Sequence, residues 1–198
     1  MTRFFTADLH LGHTNVIAYC DRPFHGVGEM NAALVAAWNT VVGSDDEVWV
    51  LGDLAMGRLD ESLALAALLT GRKHLLVGNH DKPFRGRGSE RYEAAGFELH
   101  HGQTSLTLPG DIAVLACHFP YRGDSGSYDR YHSHRPADEG QWLLHGHVHE
   151  KWRQRGRMIN VGVDVWGGYP VTDAHLATFI SAGEHAVRPL PWHIHSQQ

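Results

Sequence analysis

Three short apolar segments, each running straight into a loop of Gly, Asp, Asn or His, constrain this chain more than any other feature. Arg3–Ala7 ends at Asp8, Glu47–Leu51 at Gly52-Asp53, and Lys73–Val77 at Gly78-Asn79-His80-Asp81. Their length and β-leaning composition predict buried strands. Between them lie stretches of helical periodicity. Met30, Ala33, Leu34, Ala37, Trp38 and Val41 form one apolar face of a helix over about 29–42. Leu59–Leu69 predicts another, with Asp60 or Ser62 near its start and Gly71 past its end. His13–Cys20 predicts a shorter one. The first part of the chain thus reads strand, helix, strand, helix, strand, an α/β order in which ligands bind beyond the carboxyl ends of the strands.

The second half is richer in turns. Phe97–His100, Thr104–Leu108, Ile112–Cys117 and Trp142–His145 predict short strands, the last followed by Gly146-His147-Val148-His149. Residues 119–141 form a long polar loop, a length that is usually functional. Glu150–Gln154 and Arg157–Val161 predict a hairpin, and Thr172–Ile180 a last helix. With 198 residues the expectation is one domain over 1–198, in which 181–198 form a poorly structured tail.

Composition narrows the function classes. The net charge of −5 offers no broad basic footprint for nucleic acid. No apolar run is long enough for a membrane span. The N-terminus has no apolar signal segment, and two distant cysteines, Cys20 and Cys117, make no disulfide framework; both point to a reducing cytoplasm. Both cysteines read as small buried hydrophobes. The outlier is histidine, with 17 residues spread along the chain. Histidine is the commonest metal ligand and a frequent general acid, so the excess points to metal chemistry.

Five clusters follow the strands in chain order: Asp8-Leu9-His10, Gly52-Asp53, Gly78-Asn79-His80-Asp81, Cys117-His118 and Gly146-His147-Val148-His149. Asp8 and Asp53 offer hard anionic oxygen, Asn79 a neutral amide oxygen, and His10, His118, His147 and His149 imidazole nitrogen. This mixed set suits Mn²⁺, Fe or Zn²⁺ and lacks the thiolates of a structural zinc site. Seven ligands exceed one tetrahedral ion and match two ions that share a carboxylate. In Asp8-x-His10 and His147-x-His149, alternate residues of an extended segment point to one side.

In order and spacing these motifs resemble the signature of the calcineurin-like metallophosphoesterases, over about three quarters of the chain. Cys20-Asp21-Arg22-Pro23-Phe24 and Asn160-Val161-Gly162-Val163-Asp164 are similar to segments of a compact bacterial and phage-type subgroup. The resemblance implies an α/β fold of two face-to-face mixed sheets flanked by helices, an α-β-β-α sandwich. It implies that Asp8, His10 and His149 bind one divalent ion, that Asn79, His118 and His147 bind the second, and that Asp53 bridges them. Mn²⁺ is the favoured ion, with Fe or Zn²⁺ as alternatives. His80 would be the catalytic histidine, oriented by Asp81. In that reaction a metal-bridging hydroxide attacks phosphorus in line, while His80 donates a proton to the leaving oxygen.

The substrate side is less constrained. A short chain without a capping domain implies an open site. The 119–141 loop interleaves Arg with aromatics, a combination that can grip phosphate and stack on bases. Expectation therefore falls on a phosphodiesterase acting on nucleotides or nucleic acid, with His13, Arg22, Tyr121 and Arg122 as candidate substrate contacts. The alternatives are a phosphomonoesterase for a small metabolite or phosphoprotein, and a non-catalytic binding module of the same fold. His100 and His101 read as a surface turn.

Overall fold

The structure, a computed structural model, describes residues 1–192. Its first sheet is built from β1 (Arg3–Thr6), β2 (Glu47–Val50), β3 (Arg72–Leu76) and β4 (Phe97–His100), all parallel neighbours. The second contains β5 (Gln103–Leu108), β6 (Ile112–Cys117), β7 (Trp142–His145), β8 (Gln154–Gly156) and β9 (Met158–Asn160). Two late strands complete the sheets. β10 (Val171–Thr172) runs antiparallel to β1, and β11 (His185–Val187) antiparallel to β8. The strand orders are β10-β1-β2-β3-β4 and β11-β8-β9-β7-β6-β5. The helices are α1 (Thr14–Tyr19), α2 (Val27–Val41), α3 (Leu59–Ala66), α4 (Ser89–Ala94) and α5 (Asp173–Ala182).

Alternation along the strands sorts the core into layers. Phe4, Val48, Val50 and Leu75 turn to one face, where they meet Leu34 and Trp38 of α2 and Leu63 of α3. The Trp38 indole N–H, buried there, donates to the Thr70 carbonyl at 3.0 Å. Phe5, Trp49, Leu51 and Leu76 turn to the other face and pack on Val114, Ala116, Leu144 and Ile159 of the second sheet. The central strands β1–β3 are therefore buried on both faces over most of their length, as parallel strands between layers must be.

The architecture is a mixed α/β sandwich with helices flanking two mixed sheets. It departs from a symmetric α-β-β-α stack on one side. α5 sends Leu176 into the core between the sheets, whereas Leu115, Cys117, Leu143 and Met158 on the outer face of the second sheet are covered by Phe119, Tyr121 and Tyr131 of the long loop. The expected disordered tail also needs correction over its first part. β11 adds to the edge of the second sheet, Leu190 N–H donates to Val165 O at 3.1 Å, and Trp192 packs on Phe24. The remainder, 193–198, lies outside the described residues.

Candidate metal centre

The loops after β1, β2, β3, β6 and β7 meet at one edge of the sandwich. Backbone bonds stitch them together: Asp8 N–H to Gly52 O and His10 N–H to Asp53 O, each 3.0 Å, and Gly146 N–H to His118 O at 3.1 Å. The stitching holds strained conformations. Eight non-glycine residues among those described have positive φ, and five of them are Asp8, His10, Asp53, His147 and His149. A left-handed residue of this kind costs roughly 1–3 kcal/mol and persists where surrounding structure imposes it, typically at functional sites. Close approach is built in as well: a Cβ on Gly146 would stand 2.7 Å from both Asp8 Oδ2 and Ala7 Cβ.

The side chains of these loops point lone pairs at one another. Asp53 Oδ1 accepts the His80 N–H at 2.9 Å, which leaves Oδ2 between His10 Nε2 at 3.7 Å and His118 Nε2 at 3.5 Å. His118 Nδ1 lies 2.8 Å from Leu51 O, which can only accept, so Nδ1 carries the proton and Nε2 the lone pair. That lone pair faces Asn79 Oδ1 at 3.1 Å as well as Asp53 Oδ2. Both ring nitrogens of His10, and Nε2 of His147, are buried without a hydrogen-bond partner. The donor atoms of Asp8, His10 and His149 lie within 4.8 Å of one another, as do those of Asp8, Asp53 and His118.

An unsatisfied buried polar group costs about 1–3 kcal/mol. Several facing acceptors gathered in one buried space suit bound cations, so the residues present fit a pair of divalent ions. Desolvation acts in the same sense on His10 and His147, whereas Asp164 and Cys20 beside His149 raise that histidine well above the ordinary histidine range against its burial. Burial holds His10 well below the ordinary histidine range and His147 down to about 2, and it pushes Asp8 up to about 6 against the pull of His149 and His118. Neutral imidazole is the form that ligates a metal.

His80 is exposed beside this cluster, its ring centroid 5.4 Å from that of His10. Asp81 is not its partner, and the orienting role expected of it is corrected. Its carboxylate accepts the backbone N–H groups of Gly78 and Asp53 at 2.9 Å and of Leu54 at 3.0 Å. It ties the β3 loop to the β2 loop and so sets where His80 stands through the backbone.

Arg22 is corrected too. It is buried and engages no open surface: it pairs with both Asp164 oxygens at 2.8 and 2.9 Å and donates to the carbonyls of Asp8 at 2.7 Å and Leu9 at 3.0 Å. Asp164 in turn lies 3.3 Å from His149 Nδ1, the placement of a carboxylate behind a candidate ligand histidine. Asn160 supports the same loop by donating to His149 O at 2.8 Å.

A cavity of about 310 Å³ opens over the cluster, lined in part by His10, His13, Tyr19, His80, Arg130 and Glu150. His13 is among the residues that line it. Tyr121 and Arg122 are not: the Tyr121 hydroxyl donates to Gln141 O, and both residues line a separate small groove with Asp138 and Arg157. The long loop reaches the site through other residues. Asp124 approaches His147 Nε2 at 3.4 Å and is clamped by the Arg130 guanidinium at 2.8 Å. Burial works against its charge, yet Arg130 and the backbone N–H groups of Gly126 and Arg130 hold Asp124 below the usual carboxylate range. The Arg and aromatic content of the loop marked the segment, but nothing in its pattern singled out Asp124 or Arg130.

No helix among the described residues is long and apolar enough to cross a membrane. No family model matches the chain. Over 181 residues, 83% of this chain and 87% of the relative, it is 36% identical to the Gene 66 protein of Mycobacterium phage L5. Over 193 residues, 91% of this chain and 92% of the relative, it is 30% identical to the uncharacterized protein MJ1445 of Methanocaldococcus jannaschii. The crystal structure of the protein of unknown function AQ665 from Aquifex aeolicus matches with a TM-score of 0.70 at 24% identity, covering 90% of this chain and 98% of that one, so the fold is shared. At 36% and 30% identity to the phage L5 and archaeal relatives, over more than four fifths of each chain, the protein belongs to the family of the mycobacteriophage Gene 66 proteins and MJ1445.

Proposed function

We propose that this chain is a dinuclear metal-dependent phosphoesterase of the calcineurin-like type, cleaving phosphodiesters of nucleotides or nucleic acid. The observation that carries the reading is the convergence of Asp53 Oδ2, Asn79 Oδ1 and the His10 and His118 Nε2 atoms, with both His10 nitrogens buried and unpartnered. Asp8, His10 and His149 would hold one ion, Asn79, His118 and His147 the other, and Asp53 both; Mn²⁺, Fe and Zn²⁺ all suit such a donor set. When bound, a pair of this kind supplies an activated water and neutralises charge on the phosphoryl oxygens.

The chain's own residues do the rest. Leu51 O fixes the His118 tautomer, and Asp164 lies behind His149. Asp81 holds the two central loops in register. His80, exposed at the cavity, donates a proton to the leaving oxygen, a contribution typically worth about 10²–10⁴ in rate. His13, Tyr19 and Arg130 line the space next to it, and about 310 Å³ is at the lower end of small-ligand sites, enough for a nucleotide-sized group.

The test is hydrolysis of bis(p-nitrophenyl) phosphate and p-nitrophenyl phosphate by chain stripped of metal and reloaded with Mn²⁺. Faster diester cleavage, lost in Asp53→Ala, is expected. Faster monoester cleavage would replace the diester reading with a phosphomonoesterase, and no Asp53-dependent activity on either would leave a binding module.

A further inference from the structure

A second cluster of histidine and carboxylate lies on the strands themselves, upstream of the ligand loops. In the parallel register of β3 and β4, His74 pairs with Glu98, and Leu76 with His100. β4 is the edge strand of the first sheet. His74 shares its sheet face with Trp49, and the two rings stack at 4.6 Å and 10°. Trp49 also contacts the His100 ring, at 4.7 Å.

The three donor groups lie close together, with each ring facing a different oxygen of the carboxylate. His74 Nδ1 lies 3.1 Å from His100 Nε2, His74 Nδ1 lies 3.5 Å from Glu98 Oε2, and His100 Nε2 lies 3.5 Å from Glu98 Oε1. A tetrahedral ion with bonds of about 2.0–2.1 Å has ligand-to-ligand edges of about 3.3 Å. A hydrogen bond between the two rings accounts for the shortest side alone. It leaves the carboxylate straddling both rings beyond hydrogen-bond distance.

The back of the site is built as well. His74 is nine-tenths buried, and its Nε2 has no hydrogen-bond partner. Glu47 Oε1 stands 3.5 Å behind that nitrogen and is itself fixed by the Trp49 indole N–H at 2.7 Å. A carboxylate behind the outer nitrogen is the usual companion of a metal-ligating histidine. Burial also keeps His74 below its ordinary pKa, so the ring is neutral near pH 7. Glu98 is 65% exposed, which leaves the remaining coordination position to solvent.

We propose that His74, Glu98 and His100 form a further divalent-metal site, of Zn²⁺ type, that bridges β3 to the edge strand β4. Two imidazoles, one carboxylate and an open position match zinc better than the harder ions that favour all-oxygen sites. The ion would add a side-chain cross-link to the sheet edge, beside the backbone ladder and the Leu75–Phe97 packing on the opposite face.

The test is equilibrium dialysis of the full chain against Zn²⁺, with the metal counted by mass spectrometry in wild type, Glu98→Ala and His100→Phe. Glu98 is exposed, and Phe keeps the contact of residue 100 with Trp49; circular dichroism checks that both variants fold, and Glu98→Ala carries the test alone if His100→Phe does not. One fewer Zn²⁺ per chain in the variants, or a loss of roughly tenfold or more in affinity for one ion, is expected. Equal occupancy and affinity in wild type and Glu98→Ala would overturn the proposal. The readout is a difference between variants, so it stands whether or not the loop cluster binds two ions.

Discussion

Replacing Asp81 separates two roles that a carboxylate next to a catalytic histidine can play. Its two oxygens accept three buried backbone N–H groups, from Gly78, Asp53 and Leu54, at 2.9–3.0 Å. Ala at this position leaves three donors unpaired. At about 1–3 kcal/mol for each, with part of the loss recovered by entering water, Asp81→Ala should destabilise the fold by about 3–5 kcal/mol. Asp81→Asn keeps one accepting oxygen but turns an NH₂ towards at least one N–H donor, for a loss of about 2 kcal/mol. Urea unfolding followed by circular dichroism measures both. Activity should fall with stability and metal content, because the Asp53 and Asn79 loops lose their common tie. If Asp81→Ala unfolds within 0.5 kcal/mol (about a third of a typical net hydrogen bond's upper range) of wild type while the pH profile of kcat shifts, Asp81 acts on the His80 ring and the positioning role is wrong.

Further consequences follow from the same contacts. Arg22→Met leaves Asp164 charged and buried without its partner; breaking such a pair costs about 3–5 kcal/mol, and thermal unfolding should show it together with lower metal content. Gly146→Ala places a Cβ against Asp8 Oδ2 and Ala7, so metal retained after gel filtration should drop with little change in secondary structure. His145 is fully buried with its pKa lowered to about 4 by desolvation. The unfolded chain therefore binds a proton that the folded chain refuses between about pH 6.5 and 4, and stability is lost as pH falls through that window. Between pH 7 and 5 the metal-free chain should lose about 2 kcal/mol more than His145→Gln does, measured by urea titration at each pH.

The parts of the fold that repeat a pattern over several residues are legible in the sequence. β1, β2 and β3 lie within a residue of their expected ends, and α2 within two. The loops of the candidate centre are legible as an ordered set: each residue alone is common in turns, but five such clusters in chain order, each after a strand, are not. What escaped depends on pairing across distance. Arg22 and Asp164 stand 142 residues apart in the chain, and neither reveals a buried partner in its own neighbourhood. His74, Glu98 and His100 come together only through the register of two parallel strands. β10, with two residues, and β11, with three, are shorter than any periodicity can resolve. In the 119–141 loop there is no period at all, so Tyr121 and Arg122 could not be told from Asp124 and Arg130.

The central claim is that one carboxylate, Asp53, joins two metal ions. Electron paramagnetic resonance of the Mn²⁺-loaded chain tests it without reference to substrate. A dinuclear centre gives an exchange-coupled spectrum that disappears in Asp53→Ala. A spectrum of isolated Mn²⁺ alone in the wild type, or a coupled signal that survives Asp53→Ala, would contradict it.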